Sequence, residues 1–254
     1  MKCSLIITTY KRPDFLKFVL ESVTRQTRRP DQILIADDGS DQETLRCISS
    51  YKSVLPIIHT WQPDSGFRAA RSRNLSLSRV TSEYVVMIDG DCLLPSHFIE
   101  SHLQLAQPGT IVSGGRKLFS RFETDMVLKG KKGLDQIFKH FKFYKLPLGF
   151  LRSIKKTNWE KVRTCNLGGY LDDLMLADGF DETFIGWGFE DSDLIWRLLG
   201  KGIIIKSARF FACVAHLYHE EPDDKTELLS QILKERRDRK EDFSQTTTSI
   251  LADL

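Results

Sequence analysis

Short apolar runs that stop at polar clusters set the rhythm of this chain. Ser4-Leu5-Ile6-Ile7-Thr8-Thr9-Tyr10 is the first, and it breaks into Lys11-Arg12-Pro13-Asp14. Uninterrupted apolar runs of this length predict strands buried on both faces, as in a parallel sheet. Pro13 can begin a helix, and Phe15, Leu16, Phe18, Val19, Leu20 and Val23 then recur at helical spacing. Gln32–Ala36 predicts a second strand, closed by Asp37-Asp38-Gly39-Ser40. Strand, helix and strand within about 35 residues make the βαβ unit of a parallel sheet. A helix over roughly 41–52 and a strand over 55–61 continue the alternation.

Tyr84-Val85-Val86-Met87-Ile88 is the clearest buried strand, and it ends at Asp89-Gly90-Asp91. Open α/β sheets place ligands beyond the carboxyl ends of their strands. Two carboxylates there repel each other unless a cation joins them, and hard oxygen ligands suit Mg²⁺ or Mn²⁺. A strand followed by an ordinary polar turn is the bland alternative. Thr8 to Arg12, Asp37 to Ser40 and Asp89 to Asp91 all fall at strand ends, so the polar residues are expected to gather at one sheet edge.

Between these strands, Asp64-Ser65-Gly66-Phe67 runs into a predicted helix bearing Arg68, Arg71 and Arg73. Arg68 and Arg71, three apart, are expected to share a face, where a helix start suits a phosphate. A solvated basic face would look the same.

The second half is less regular. A helix over 95–107 and a strand over 110–115 are expected, and from about 120 to 163 the pattern loosens. Residues 127–163 hold 11 basic residues against two acidic ones, interleaved with aromatics such as Phe138, Phe141, Tyr144 and Trp159. A lid, an acceptor surface, a patch on anionic membrane and a plain insertion with a solvated lysine face are the alternatives. Order returns at Thr164–Tyr170. Gly186-Trp187-Gly188-Phe189-Glu190-Asp191-Ser192-Asp193 then leads into a predicted helix ending at Gly200. Helix capping would account for one or two of these acids. The glycines around Trp187 point further, to an unusual turn with an aromatic face suited to a sugar ring. A short strand is expected at 202–206. His216 and His219, three apart, could face one metal from a single turn, although a lone histidine pair is more often incidental. The last 30 or so residues read as a charged helix and a disordered tail.

Composition narrows the class. Hydrophobic and charged contents of 41% and 28% are those of an ordinary water-soluble protein, and a net charge of +3 gives no argument for nucleic acid. The five cysteines form no CxxC pair, which suits reduced thiols in a cytosolic setting. The apolar run after Lys2 is too short for a secretory leader, and none approaches the roughly 18 residues of a membrane span.

Taken together, these motifs resemble the family 2 glycosyltransferases of the nucleotide-diphospho-sugar transferase fold. The resemblance rests on Leu5–Tyr10, Ile35–Ser40, Gly66–Asn74 and Ile88–Asp91. Gly179-Phe180-Asp181-Glu182 and Gly186–Asp193 are similar to the galactosyltransferase-type region of chondroitin polymerases and β-1,4-galactosyltransferases. The match covers about residues 3–220. It implies a single α/β domain of the GT-A (Rossmann-like) type, with a mixed, mainly parallel central sheet flanked by helices. Residues 1–115 would form the nucleotide-sugar half, 116–163 a basic and aromatic insertion and 164–220 the acceptor half, with 221–254 a charged tail.

The resemblance also implies roles. Thr8, Tyr10, Arg12 and Asp38 would hold the uridine, Arg68 or Arg71 would reach the nucleotide, and Asp89 would touch the ribose. Asp91, His219 and His216 would bind Mn²⁺ (or Mg²⁺), Asp191 would be the general base, and Trp187 and Glu190 would hold the acceptor sugar. The galactosyltransferases carry an aspartate where Ser192 stands here, which leaves acceptor contacts open. The expected activity is inverting transfer of a hexose or N-acetylhexosamine from a UDP-sugar to a glycan or lipid-linked glycan hydroxyl, in bacterial surface polysaccharide or lipopolysaccharide assembly. The enzyme would be cytoplasmic, with peripheral contact on the inner face of the membrane through 127–163. A non-catalytic sugar- or nucleotide-binding module is the alternative. A nucleotidyltransferase is disfavoured, because no glycine follows the first strand in Thr9–Pro13.

Overall fold

A computed structural model describes residues 1–139, 154–155, 161–220 and 227–239. The amino-terminal half alternates as its pattern predicts. β1 (Cys3–Thr9) leads to α1 (Pro13–Thr24), with Pro13 in its first turn, and on to β2 (Gln32–Asp37). Proline suits that position because a first-turn N–H has no intrahelical partner to lose. Asp41 caps α2 (Gln42–Tyr51) by accepting from the N–H groups of Glu43 and Thr44. β3 (Ile57–Trp61), α3 (Ala69–Leu77) and β4 (Tyr84–Asp89) follow. These strands run parallel in the order β3-β2-β1-β4. Thr8 lies beside Asp89 and Thr9 beside Asp37, so the three polar strand ends share one edge.

The second half turns the sheet mixed. Its elements are β5 (Cys92–Leu93), α4 (Phe98–Leu105), β6 (Thr110–Leu118), α5 (Arg121–Leu128), α6 (Leu134–Phe138), β7 (Ile154–Lys155), β8 (Asn166–Tyr170), α7 (Leu171–Met175), α8 (Glu190–Gly200), β9 (Ile204–His216) and α9 (Glu227–Arg239). β8 lies antiparallel between β4 and β6, while β9 runs parallel to β6 and antiparallel to β5 and β7. The longer ladders are parallel, as expected of a mixed, mainly parallel sheet. Alternate strand residues feed two cores. Leu5, Ile7, Val86 and Ile88 pack with α1 and α4 on one face, and Ile6, Val85 and Met87 with α3 and α8 on the other. Helices on both faces explain why these strands read as unbroken apolar runs.

Three expectations need correction. The short strand expected at 202–206 begins at Ile204 and is only the start of the thirteen-residue β9. Its pairing with β6 jumps from Gly114↔Ala208 to Gly115↔Cys213, and this irregularity carries exposed Phe210, which hid the continuation. Gly115 accommodates it, since a Cβ there would lie 2.6 Å from the Arg209 carbonyl oxygen. His216 and His219 therefore do not share a helical turn; His216 ends β9 and His219 follows it. Finally, the stretch from 120 begins in order, with α5 closed by a reciprocal Ser120–Glu123 capping box. Residues 140–153 and 156–160 of the basic and aromatic segment, among them Phe141, Phe143, Tyr144, Phe150, Arg152 and Trp159, lie outside the described residues, as does the tail from Lys240. Among the described residues no helix is long and apolar enough to cross a membrane. All five cysteines are free thiols.

Candidate functional site

The end of β4 turns sharply. The Gly90 N–H donates to the Thr8 carbonyl at 2.7 Å, and a Cβ on Gly90 would press on that oxygen and on the Thr9 hydroxyl at 3.1 Å. The turn delivers Asp91 to β5, where Cys92 pairs with His216 and the Leu217 N–H donates to the Asp91 carbonyl at 3.0 Å. This pairing draws two histidines from the far end of the chain onto Asp91. His219 Nε2 lies 3.1 Å from its Oδ2 and His216 Nε2 3.5 Å from its Oδ1.

Burial presses Asp91 upward, but the His219 hydrogen bond and the charges of His216 and His219 outweigh it and leave the carboxyl below its ordinary range. The bond to Asp91 raises His219, and burial lowers His216. Donor atoms of Asp91, Cys92 and His216 all lie within 4.8 Å of one another. Cys92 donates its thiol proton to Asp91 at 3.4 Å, and burial holds that thiol well above its usual range. His219 bonds the other carboxylate oxygen and is outside that group of three, but one carboxylate with two imidazoles is the donor chemistry that fits a divalent cation.

On the other side of β4 stands a second carboxylate cluster, organised by Arg73 of α3. Its Nε donates to Thr8 Oγ1 at 3.1 Å, its Nη1 to Glu190 Oε1 at 2.9 Å and more weakly to Asp191 Oδ1 at 3.5 Å, and its Nη2 to Asp89 Oδ1 at 3.3 Å. The guanidinium carbon also lies over the Phe180 ring, 5.4 Å from its centroid. Burial works against its charge, and Asp191, Glu190 and Asp89 more than offset that. Burial pushes Asp89 up to about 7, with Arg73 opposing and Asp91, Asp191 and Glu190 reinforcing. Glu190 is raised by burial and by the Asp191 charge, and its Oε2 is buried with no hydrogen-bond partner. Asp191 is held from a second side by Thr164, whose hydroxyl donates to Oδ1 at 2.6 Å and whose N–H donates to Oδ2 at 3.2 Å.

The entry into α8 presents these acids. Gly186, Gly188 and the N-cap Phe189 all have positive φ, at 111°, 100° and 72°. For Phe189 that conformation is unusual and costs energy that the surroundings must supply. The Gly186 N–H donates to the Phe67 carbonyl at 2.9 Å, and Asn74 brackets Phe180 by accepting from its N–H and donating to its C=O, both at 2.8 Å. Glycines at 186 and 188 thus serve an irregular turn, with Trp187 half-buried inside it.

The predicted nucleotide residues border the same edge. Asp38 is buried, accepting from the Arg68 N–H at 2.7 Å and from Gln62 Nε2 at 2.5 Å, and burial raises it despite those bonds. Arg68 is not helical, contrary to expectation; its backbone is tied to Asp38, and α3 begins at Ala69. Arg68 Nε is buried with no hydrogen-bond partner, while Arg71 donates to Gln62 Oε1 at 2.8 Å. Tyr10, exposed, donates to Asp64 at 3.1 Å, and Arg12 lies over the Phe15 ring. The structure therefore gathers Asp91 with His216 and His219, and Thr8 and Asp89 with Glu190 and Asp191. Arg73, Thr164 and Gln62 carry no signal of these contacts in the sequence; all three are long-range.

Residues 4–168 match the model for glycosyl transferase family 2, and residues 150–220 that for the N-terminal domain of galactosyltransferase. The chain is similar to a chondroitin synthase of Escherichia coli, 26% identical over 87% of this chain and 35% of that protein. It is also similar to a validoxylamine A glucosyltransferase of Streptomyces hygroscopicus subsp. limoneus, 27% identical over 81% of this chain and 49% of that one. It thus spans a third to a half of the length of these curated relatives. Among solved structures, S. aureus TarS superposes with a TM-score of 0.66 at 17% identity, over 93% of this chain and 39% of that one. The 1–349 form of TarS in complex with UDP-GlcNAc also gives 0.66, at 15% identity over 92% of this chain and 65% of that one. At these identities the structures speak to the fold.

Proposed function

This chain belongs to glycosyl transferase family 2, and on that premise we propose that it moves a hexose or N-acetylhexosamine from a UDP-sugar to a hydroxyl of a glycan or lipid-linked glycan, with inversion, in the assembly of bacterial surface polysaccharide or lipopolysaccharide. The observation that carries this reading is the pair of carboxylate centres at one sheet edge, Asp91 with two histidines and Asp191 held by Thr164 and Arg73. The solved complex of TarS with UDP-GlcNAc supports the donor class.

The roles follow the chemistry of each group. Thr8, Tyr10, Arg12 and Asp38 border the uridine site, Arg68 and Arg71 approach the nucleotide, and Asp89 meets the ribose. Asp91, His216 and His219 would hold a divalent cation, and two imidazoles with one carboxylate suit Mn²⁺ better than Mg²⁺. Such an ion supplies charge stabilisation to the departing diphosphate.

Asp191 takes the proton of the acceptor hydroxyl as that oxygen attacks the anomeric carbon opposite the leaving UDP. An ionised carboxylate offers about four lone-pair sites. Thr164 and Arg73 occupy three of them, which leaves one for the hydroxyl. Trp187 and Glu190 hold the acceptor sugar, at the turn into α8 where Trp187 is half-buried. The catalytic unit is assigned to residues 1–220, at the cytoplasmic face of the membrane.

The test is release of UDP from a panel of UDP-sugars with Mn²⁺ present. The wild-type chain is expected to turn over at least one donor, passing the glycosyl group to water when no glycan is present, whereas a non-catalytic binding module would bind added UDP and turn over no donor.

A further inference from the structure

Arg73 holds Asp191 but is assigned no contact with donor, acceptor or cation, and it bonds to four residues of the site, Thr8, Asp89, Glu190 and Asp191. Its three nitrogens tie α3 to three other elements: β1 through Thr8, β4 through Asp89, and α8 through both Glu190 and Asp191. The side chain is only 5% exposed. It joins a strand end assigned to the donor to a helix start assigned to the acceptor, and its own bond to Asp191 spans 118 positions of chain.

We infer that Arg73 is a positioning residue, whose fork holds Asp89 and Asp191 in one fixed frame so that donor and acceptor meet at the geometry of transfer. The inference rests on the transferase reading. Three features favour it over plain structural stabilisation. The contacts use Nε, Nη1 and Nη2 separately, which a planar guanidinium can do and a lysine point charge cannot. A buried charge of this kind is often replaceable by well-packed apolar side chains at no loss of stability, so burial alone gives it no purpose. The guanidinium carbon lies over the ring of Phe180, whose backbone Asn74 holds through both its N–H and its C=O. Asp191 is thereby clamped between Thr164 and Arg73, and an error near 1 Å in such a group can cost about 100-fold in rate.

The experiment compares Arg73→Lys and Arg73→Gln with the wild-type chain. Titration calorimetry with UDP and Mn²⁺ counts the folded, nucleotide-competent sites, and UDP release from UDP-GlcNAc, UDP-GalNAc, UDP-glucose and UDP-galactose, with water taking the glycosyl group in place of the glycan hydroxyl, is then expressed per site. Both variants are expected to keep the UDP Kd and the donor KM within about threefold while kcat per site falls about 100-fold. Lysine is expected to rescue little, because the charge without the fork does not set the frame. Phe180→Leu, which removes the ring beneath the guanidinium, keeps the test open if neither Arg73 variant folds; kcat should fall by a smaller factor with KM unchanged. A purely structural Arg73 would lower the number of competent sites and leave kcat per site intact, which overturns the inference. So does a rise in KM at constant kcat, or full rescue by lysine. A wild-type chain that binds UDP but turns over no donor, or that binds none, overturns the transferase reading and this inference with it.

Discussion

His219 Nε2 and Asp91 Oδ2 lie 3.1 Å apart although 128 residues separate them in the chain. The antiparallel pairing of Cys92 with His216 makes this contact, by bringing the end of β9 alongside the turn after β4. The relationship carries the cation assignment, and removing either imidazole should weaken it. His219→Ala is expected to lower Mn²⁺ affinity in the presence of UDP by about 10- to 100-fold, the scale on which metal sites respond to loss of support. His216→Ala should act in the same direction. Thermal shift measured across a Mn²⁺ series reads both, and an unchanged Mn²⁺ midpoint in the double variant removes the assignment.

Asp191 should separate binding from turnover. Asp191→Asn keeps the size of the side chain and a carbonyl oxygen to accept from Thr164, so the fold and UDP affinity are expected to stay near wild type. Proton removal is lost, and the rate of transfer should drop by about 10²- to 10⁴-fold, as for general bases elsewhere. Normal transfer by this variant would show that another group takes the proton.

Buried His102 should make the fold sensitive to acid. The Asn166 amide donates to the carbonyl oxygens of Gly115 and Ala212 at 2.8 and 3.0 Å, so its Oδ1 must accept from His102 Nε2 at 2.9 Å. That leaves Nδ1 bare and without a partner. Burial lowers His102 to about 4, against the upward pull of Asn166. The unfolded chain takes up this proton near pH 6.5 while the folded chain refuses it until about pH 4. The contribution is therefore complete above pH 6.5 and is lost as pH falls towards 4, by about 3 kcal/mol in all. Urea unfolding at pH 7 and pH 4.5 should show a smaller drop in His102→Gln than in wild type; equal drops would place the acid sensitivity elsewhere.

Asp193 and Arg197 form an ion pair at 2.7 Å on α8 with both side chains essentially inaccessible. Arg197 also donates to the carbonyls of Ala177 and Gly179, which pins the turn before the helix that presents Glu190 and Asp191. Asp193→Ala strands that guanidinium, and the expected loss is about 3–5 kcal/mol of stability, the cost of leaving a buried charge uncompensated. Denaturant titration checks it, and a loss below 1 kcal/mol would mean that water or another acid takes over.

Much of this molecule could be read in one dimension because its causes are local. Unbroken apolar runs at Leu5–Ile7, Ile33–Ala36 and Val85–Ile88 require burial on both faces, and a run ending in Asp-x-Asp or Asp-Asp must meet solvent or a ligand there. The start of α8 near Asp191 was legible for the same reason, since helical spacing and an acidic first turn are short-range properties. The contacts that make these parts a site are not short-range. Spacing singled out Arg68 and Arg71, but Asp38 ties the Arg68 backbone outside α3, and the third arginine, Arg73, turns into the carboxylates. Thr164 looks like an ordinary residue ahead of a strand until Asp191 arrives from 27 positions on. The exposed irregularity after Ala208 concealed that β9 continues to His216. Sequence pattern therefore determined which segments become strands and helices and where charge collects. Only the packed sheet decided which charges face one another, because pairing between strands is set by the burial of the whole core rather than by any residue's neighbours in the chain.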